Sequence, residues 1–571
     1  MAGLLRDRPS TPEQRLRNAA QHQPWVVGAV LAMLAVYAYL FTQAAAPLGL
    51  PLPEQLADAL GWHPAGVFDS DHNVDSEIWL YRAAPGLGGD AQRLVLFGAI
   101  AGAFLSAYFL PMRHKQASLV LWFLLAGLVL FGGATLAGLL AAHLAIYLLF
   151  HAPSARLGLA LGAGCGALGY LAWAGDAASL VGALLWGGAV MELYRHGLPR
   201  LEQRPRALAA ARVFAAQSVL AVTLVGGVWE GLGGAAWRLP AGIMLFFWQW
   251  RRLMLYQLDY AHGQVPRELP VSSYLALFLT PATLPNWHWG NSIGLGYSYL
   301  DHNHYAVDKN RLALDGVKIW GIALVYLVFG EWIRRQLVAI FTGFGVEVHH
   351  AHLQELSCHF VHTGTASTAT VLATTLLDQA RWLLLWAGAL HFRVGLWRVF
   401  GYRMDPYYNQ PWLATNLVAL WTRFTFHYRE FLVRMFFYPV FFRYFRERTR
   451  LRVFCATLAA ACFGNWIWGH VPYALVEHPN GLRFQDILTL LEAWPYFLLL
   501  GISISLTELY LLGRRNPRKP WTLDRRFPLD LLAAYLTLQF YSLIHVFITP
   551  CENGSLGDYA QLFLLGFGLR L

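Results

Sequence analysis

An all-α fold that crosses a lipid bilayer many times is what this sequence predicts, on three observations. Hydrophobic residues make up 57% of the 571 positions and charged residues only 13%, against about 25% charged in soluble domains. Apolar runs recur along the chain, many near the ~20 residues a helix needs to cross the hydrocarbon core. Trp and Tyr number 23 and 26, and both favour the membrane–water interface. A soluble fold has no interior large enough for this much apolar surface.

The elements follow in order. Residues 1–24 are polar and carry Arg6, Arg8, Arg15 and Arg17. The run 25–46 is long enough to be a first transmembrane helix, and its basic flank places the N-terminus in the cytoplasm. The segment 47–92 is acidic, with Asp69, Asp71, Asp75 and Glu77 among its carboxylates; it is expected outside, where a partner protein could dock. A helical membrane region then covers 93–300, and a second one 301–571. Within them, the apolar run 118–150 has room for two helices broken at Gly132-Gly133. Runs such as 411–422 and 431–443 are too short to span. About eleven to thirteen spans are expected, with the shorter pieces as re-entrant or interfacial helices around a central chamber. Irregular backbone at membrane depth is tolerated only where protein buries it or it lines a cavity.

The net charge is +10. Without a basic stripe on a soluble domain this does not point to nucleic acid; it fits cytoplasmic loops and anionic lipid headgroups. The basic runs Arg195–Arg206, Arg443–Arg452 and Arg514–Arg526 are either positive-inside loops or contacts for the phosphates of a cytosolic donor. The five cysteines form no CxxC pair, so no disulfide framework or zinc finger is expected. No internal repeat is visible, which disfavours an inverted-repeat transporter.

Ionisable groups within apolar sequence are candidates for function. His470 ends a stretch free of charge since Arg452 and follows Asn465-Trp466-Ile467-Trp468-Gly469. It is either a proton-transfer group or a histidine at a helix end. A helix across Trp421–Phe431 would place Arg423, His427 and Glu430 on one face. His349, His350, His352, Cys358, His359 and His362 fall within fourteen residues, but without the HExxH spacing; the bland reading is a polar loop, and no metal is expected. The cluster Asp301-His302-Asn303-His304 makes a weaker claim.

The stretch Leu396–His470 resembles the membrane-bound O-acyltransferase family, bacterial alginate O-acetyltransferases and teichoic-acid D-alanyl transfer proteins in particular. Gly401-Tyr402, Pro406-Tyr407-Tyr408-Asn409 and Pro411-Trp412-Leu413-Ala414 follow its first motif. Trp421-Thr422-Arg423 and Tyr438-Pro439 follow its next ones, and Trp468-Gly469-His470 stands where the family ends a helix in Trp-His-Gly. Thr425 occupies the place of the family's first histidine, with His427 two residues on. The resemblance implies transfer of an acyl group, acetyl foremost, from acetyl-CoA or another acyl-CoA or acyl thioester to a hydroxyl acceptor on a polysaccharide, lipid or protein. No bound cofactor is implied. His470 would be the general base; His427, Asn465 and Asn409 would orient or polarise. Arg423 and Arg429 would hold donor phosphates, with Trp421, Trp466 and Trp468 lining the site. The resemblance also implies a bacterial inner membrane. The competing reading is a transporter or flippase for a lipid-linked or polysaccharide substrate; a scaffold is the third.

Overall fold

The computed structural model describes residues 11–41, 89–131, 133–151, 251–283, 296–349, 353–470, 493–513, 520–521, 524–548, 551 and 554–569. Most of the acidic segment, the basic loop 194–207, His350, His352 and the side chain of His470 lie outside the described residues. Among the described residues the regular elements are helical, and β structure is limited to one isolated bridge between His304 and Tyr402.

The chain opens with α1 (Pro12–Ala20), capped by the Thr11 hydroxyl on the Gln14 amide, and α2 (Pro24–Phe41). The helices α3 (Gly89–Phe109), α4 (Met112–Phe131) and α5 (Gly133–His151) follow; Gly132, where the sequence predicts a break, lies outside the described residues. Residues 251–261 are helical, then come α6 (Val271–Phe278), α7 (Tyr297–Asn303) and α8 (Lys309–Gly343). Next are α9 (Leu353–Thr363), α10 (Thr368–Ala380) and α11 (Ala387–Val399). The short α12 (Leu417–Arg423), α13 (Phe426–Leu432) and α14 (Tyr438–Arg443) lead to α15 (Thr449–Leu458). The chain closes with α16 (Trp494–Leu512), α17 (Phe527–Leu543) and α18 (Leu556–Leu565).

Four helical stretches among these are long and apolar enough to cross a membrane: Lys309–Gly343, Thr449–Gly469, Trp494–Leu512 and Phe527–Phe547. A fifth results if α1 and α2, bent by 78° at their junction, form one span. The protein is therefore an all-α polytopic membrane protein.

Small residues set the packing, as expected where lipid supplies no hydrophobic drive between helices. A Cβ on Gly316 would fall 3.0 Å from the Gly395 carbonyl, and one on Gly388 would fall 2.9 Å from the Ala323 carbonyl. These contacts run α8 antiparallel to α10–α11 at close range. Trp320 fills the space beside Gly395 and donates from its indole to the Phe392 carbonyl at 2.8 Å. Tyr37 of α2 donates to the Trp320 carbonyl at 2.8 Å, which fixes α2 on α8. At the Lys309 end of α8, Arg15 pairs with Asp301 at 3.0 Å.

Among the described residues, four segments are wound as π-helix: Arg381–Trp386, Val433–Phe437, Ala459–Gly464 and Trp466–His470. Such turns are rare and concentrate at functional sites. The cysteine spacing predicted no disulfide, and the structure has one. Cys358 and Cys551 are joined by a disulfide, their Cα atoms 5.2 Å apart. Their separation of 193 residues gave no local spacing to recognise, because the bond depends on α9 packing beside the turn before α18.

Candidate functional site

The site begins at a helix break. Thr425 has a left-handed backbone, φ +54°, and separates α12 from α13. Arg423, His427 and Glu430 thus do not share one helix face, contrary to the sequence expectation. Arg423 ends α12, and its guanidinium donates to the Asn409 carbonyl at 3.1 Å. The Asn409 amide returns a bond to the Arg423 carbonyl at 2.9 Å. These two residues brace the turn, and Asn409 is exposed. The Phe426 amide bonds the Tyr407 carbonyl at 3.0 Å, which lays the segment 405–410 along the start of α13.

This pairing buries His427 completely. Its Nε2 lies 2.9 Å from the Asp405 carbonyl. A carbonyl only accepts, so Nε2 carries the proton and Nδ1 presents a lone pair. That Nδ1 has no hydrogen-bond partner among the described residues, and neither does the Tyr407 hydroxyl. The two rings stand 5.5 Å apart between centroids. Buried polar atoms are rarely left unsatisfied; a neighbouring pair of them, one an acceptor and one able to donate, suits a polar ligand.

One residue on, Tyr428 donates to the Asn465 side-chain oxygen at 3.0 Å, with both residues buried. Asn465 sits between two π segments, which shift its register on the helix that continues α15. A Cβ on Gly469 would come within 2.9 Å of the Asn465 oxygen and 3.1 Å of the Tyr428 hydroxyl. Glycine is needed there for close approach. His470 follows directly and ends the second π segment, so its backbone lies beside this pair. Trp468 is buried edge-on against Phe431, centroids 5.6 Å apart, while Trp466 and Trp421 are half-buried.

Cations surround these groups. The Arg251 guanidinium lies over the Tyr428 ring, 5.4 Å from its centroid, and Arg251 and Arg393 both act electrostatically on Tyr407. Arg252 lies over Trp397 and donates to the Leu277 carbonyl. Arg429 is paired with Glu430. Arg434 is paired with Asp259 at 2.5 Å, and Asp259 also accepts from the Ser298 amide at 2.9 Å. Sequence reasoning missed Tyr407, Tyr428, Arg251 and Asp259. The signal for the last two was available: charges inside the apolar run around 239–257 and just beyond it.

No known family matches this chain by its sequence pattern, and no curated protein matches it.

Proposed function

We propose that this protein is an O-acyltransferase of the membrane. It moves an acyl group, acetyl foremost, from a cytosolic coenzyme A thioester to a hydroxyl on an extracytoplasmic or lipid-linked acceptor. The observation that carries the reading is the unpartnered pair formed by His427 Nδ1 and the Tyr407 hydroxyl, set beside Tyr428, Asn465 and the chain entering His470. In the reaction a base removes the acceptor's proton, its oxygen attacks the thioester carbonyl, the ester C–O bond forms and the C–S bond breaks. The departing thiolate takes the proton back from the base. His470 is the general base. His427, with its free lone pair, is the alternative holder of that proton or the group that orients the acceptor. The Tyr407 hydroxyl can donate to the oxyanion, and the buried arginines favour an anionic donor.

The orientation proposed puts the basic N-terminal segment in the cytoplasm and the Cys358–Cys551 disulfide in an oxidising compartment, towards the opposite end of α8. A bacterial plasma membrane fits this arrangement.

The test uses radiolabelled acetyl-CoA, reconstituted protein and native membranes as the acceptor source. Transfer of label by the natural chain, reduced at least ~100-fold in His470→Ala, supports the reading. Full transfer by a normally folded His470→Ala would remove that histidine from the mechanism. Absence of any transfer, together with movement of an unmodified substrate across vesicles, would assign the site to transport.

A further inference from the structure

At the Gly343 end of α8 a second cluster of titratable side chains stands apart from the site above. The chain leaves α8, turns at Gly345 with φ +69°, and runs without regular structure to His349, whose amide reaches the Thr374 hydroxyl of α10 at 3.5 Å. This lays Glu347 and His349 against α9, which presents His359. One ligand atom from each of Glu347, His349 and His359 lies within 4.8 Å of the others. The His349 and His359 rings are 4.8 Å apart between centroids.

We propose that Glu347, His349 and His359 form a binding site for a divalent transition metal, zinc foremost. His349 is 92% buried (8% exposed), and its Nε2 has no hydrogen-bond partner among the described residues. That atom faces the Glu347 carboxylate at 3.8 Å, while Nδ1 on the other side of the ring faces Glu355 at 3.8 Å. The order carboxylate, imidazole, ligand position is the one in which an outer carboxylate orients a metal-binding histidine and raises its basicity. Two imidazoles and one carboxylate suit zinc, with a fourth position left for water. Bond lengths of about 2.0–2.2 Å to zinc require the three atoms to close by roughly an ångström. Glu347, 62% exposed in its side chain, can supply most of that by a rotamer change. The frame around it is firm: His359 follows Cys358, and the disulfide to Cys551 anchors that turn of α9.

The full-length protein, purified with a histidine-free tag and stripped of metal, is titrated with Co²⁺ and then with competing Zn²⁺. One equivalent of Co²⁺ giving a visible absorption band that Zn²⁺ abolishes is the expected result. Affinity should fall at least tenfold in His359→Gln and in Glu347→Gln, and by about 10- to 100-fold in Glu355→Gln. It should be unchanged in His362→Ala, and retained in His470→Ala, which separates this site from the proposed catalytic one. Glu347 is exposed, so its variant folds even if the histidine variants do not. Absence of the band, or equal affinity in the natural chain, Glu347→Gln and His359→Gln, would overturn the proposal.

Discussion

Replacing Asp259 by Ala tests whether buried charge holds the candidate site together. Asp259 is wholly buried, its partner Arg434 is 20% exposed, and their ion pair is 2.5 Å long. Losing one member of a buried pair destabilises by about 3–5 kcal/mol; the partial exposure of Arg434 argues for the lower end, about 3 kcal/mol. The Ser298 amide also loses its acceptor, which adds about 1 kcal/mol. The expected total of about 4 kcal/mol corresponds to a roughly thousand-fold shift in the folding equilibrium. Asp259→Asn keeps an oxygen for Ser298 and should fall between Ala and the natural residue. The double variant Asp259→Leu/Arg434→Met removes both charges and should recover most of the loss, because no ion is then left buried alone. Denaturant unfolding in detergent micelles gives the ranking. A double variant as unstable as Asp259→Ala, or an Asp259→Ala loss below about 1 kcal/mol, would refute the reasoning.

Other perturbations address the rest of the structure. Gly469→Ala should destabilise by about 1–3 kcal/mol, since its Cβ meets Asn465 and Tyr428; Gly98→Ala, with open space around it, should be neutral or slightly stabilising by the same unfolding assay. Cys358→Ala/Cys551→Ala should lower stability by about 2–5 kcal/mol, read as a lower denaturant midpoint that reductant no longer changes. His427 lies outside the four candidate spans, and burial holds its imidazole well below the ordinary value, with Arg252 adding to the effect and the Asp405 carbonyl and carboxylate opposing it. The unfolded chain therefore takes up this proton first as pH drops below about 6.5. The contribution to stability is complete above that pH and declines on acidification. His427→Gln should flatten the stability–pH profile between the folded value of about 4 and the unfolded value of about 6.5, measured as denaturant midpoints.

The fold class was legible because apolar composition and run length depend on the solvent rather than on long-range packing. The Cys358–Cys551 bond was not, because it needs the tertiary approach of α9 to the turn before α18. The misplacement of Arg423 has a single-residue cause: helical spacing assumes continuous αR backbone, and Thr425 leaves it. Asn465 was recognised as a candidate, but its meeting with Tyr428 and Gly469 depends on π turns that shift register without a visible signature in composition. His349 and His359 were noticed as part of a histidine-rich stretch; the partner that completes their cluster, Glu347, lies outside any helix, where helical spacing offers no guide.

The most direct test of the central claim is single-turnover transfer of labelled acetyl from acetyl-CoA by the reconstituted protein, comparing the natural chain with His427→Ala, His470→Ala and Tyr407→Phe. The account predicts transfer to a hydroxyl acceptor in the natural chain and a loss of at least ~100-fold in His470→Ala, with smaller losses in the other two. Equal rates in all four proteins, each folded by the unfolding assay, would contradict it.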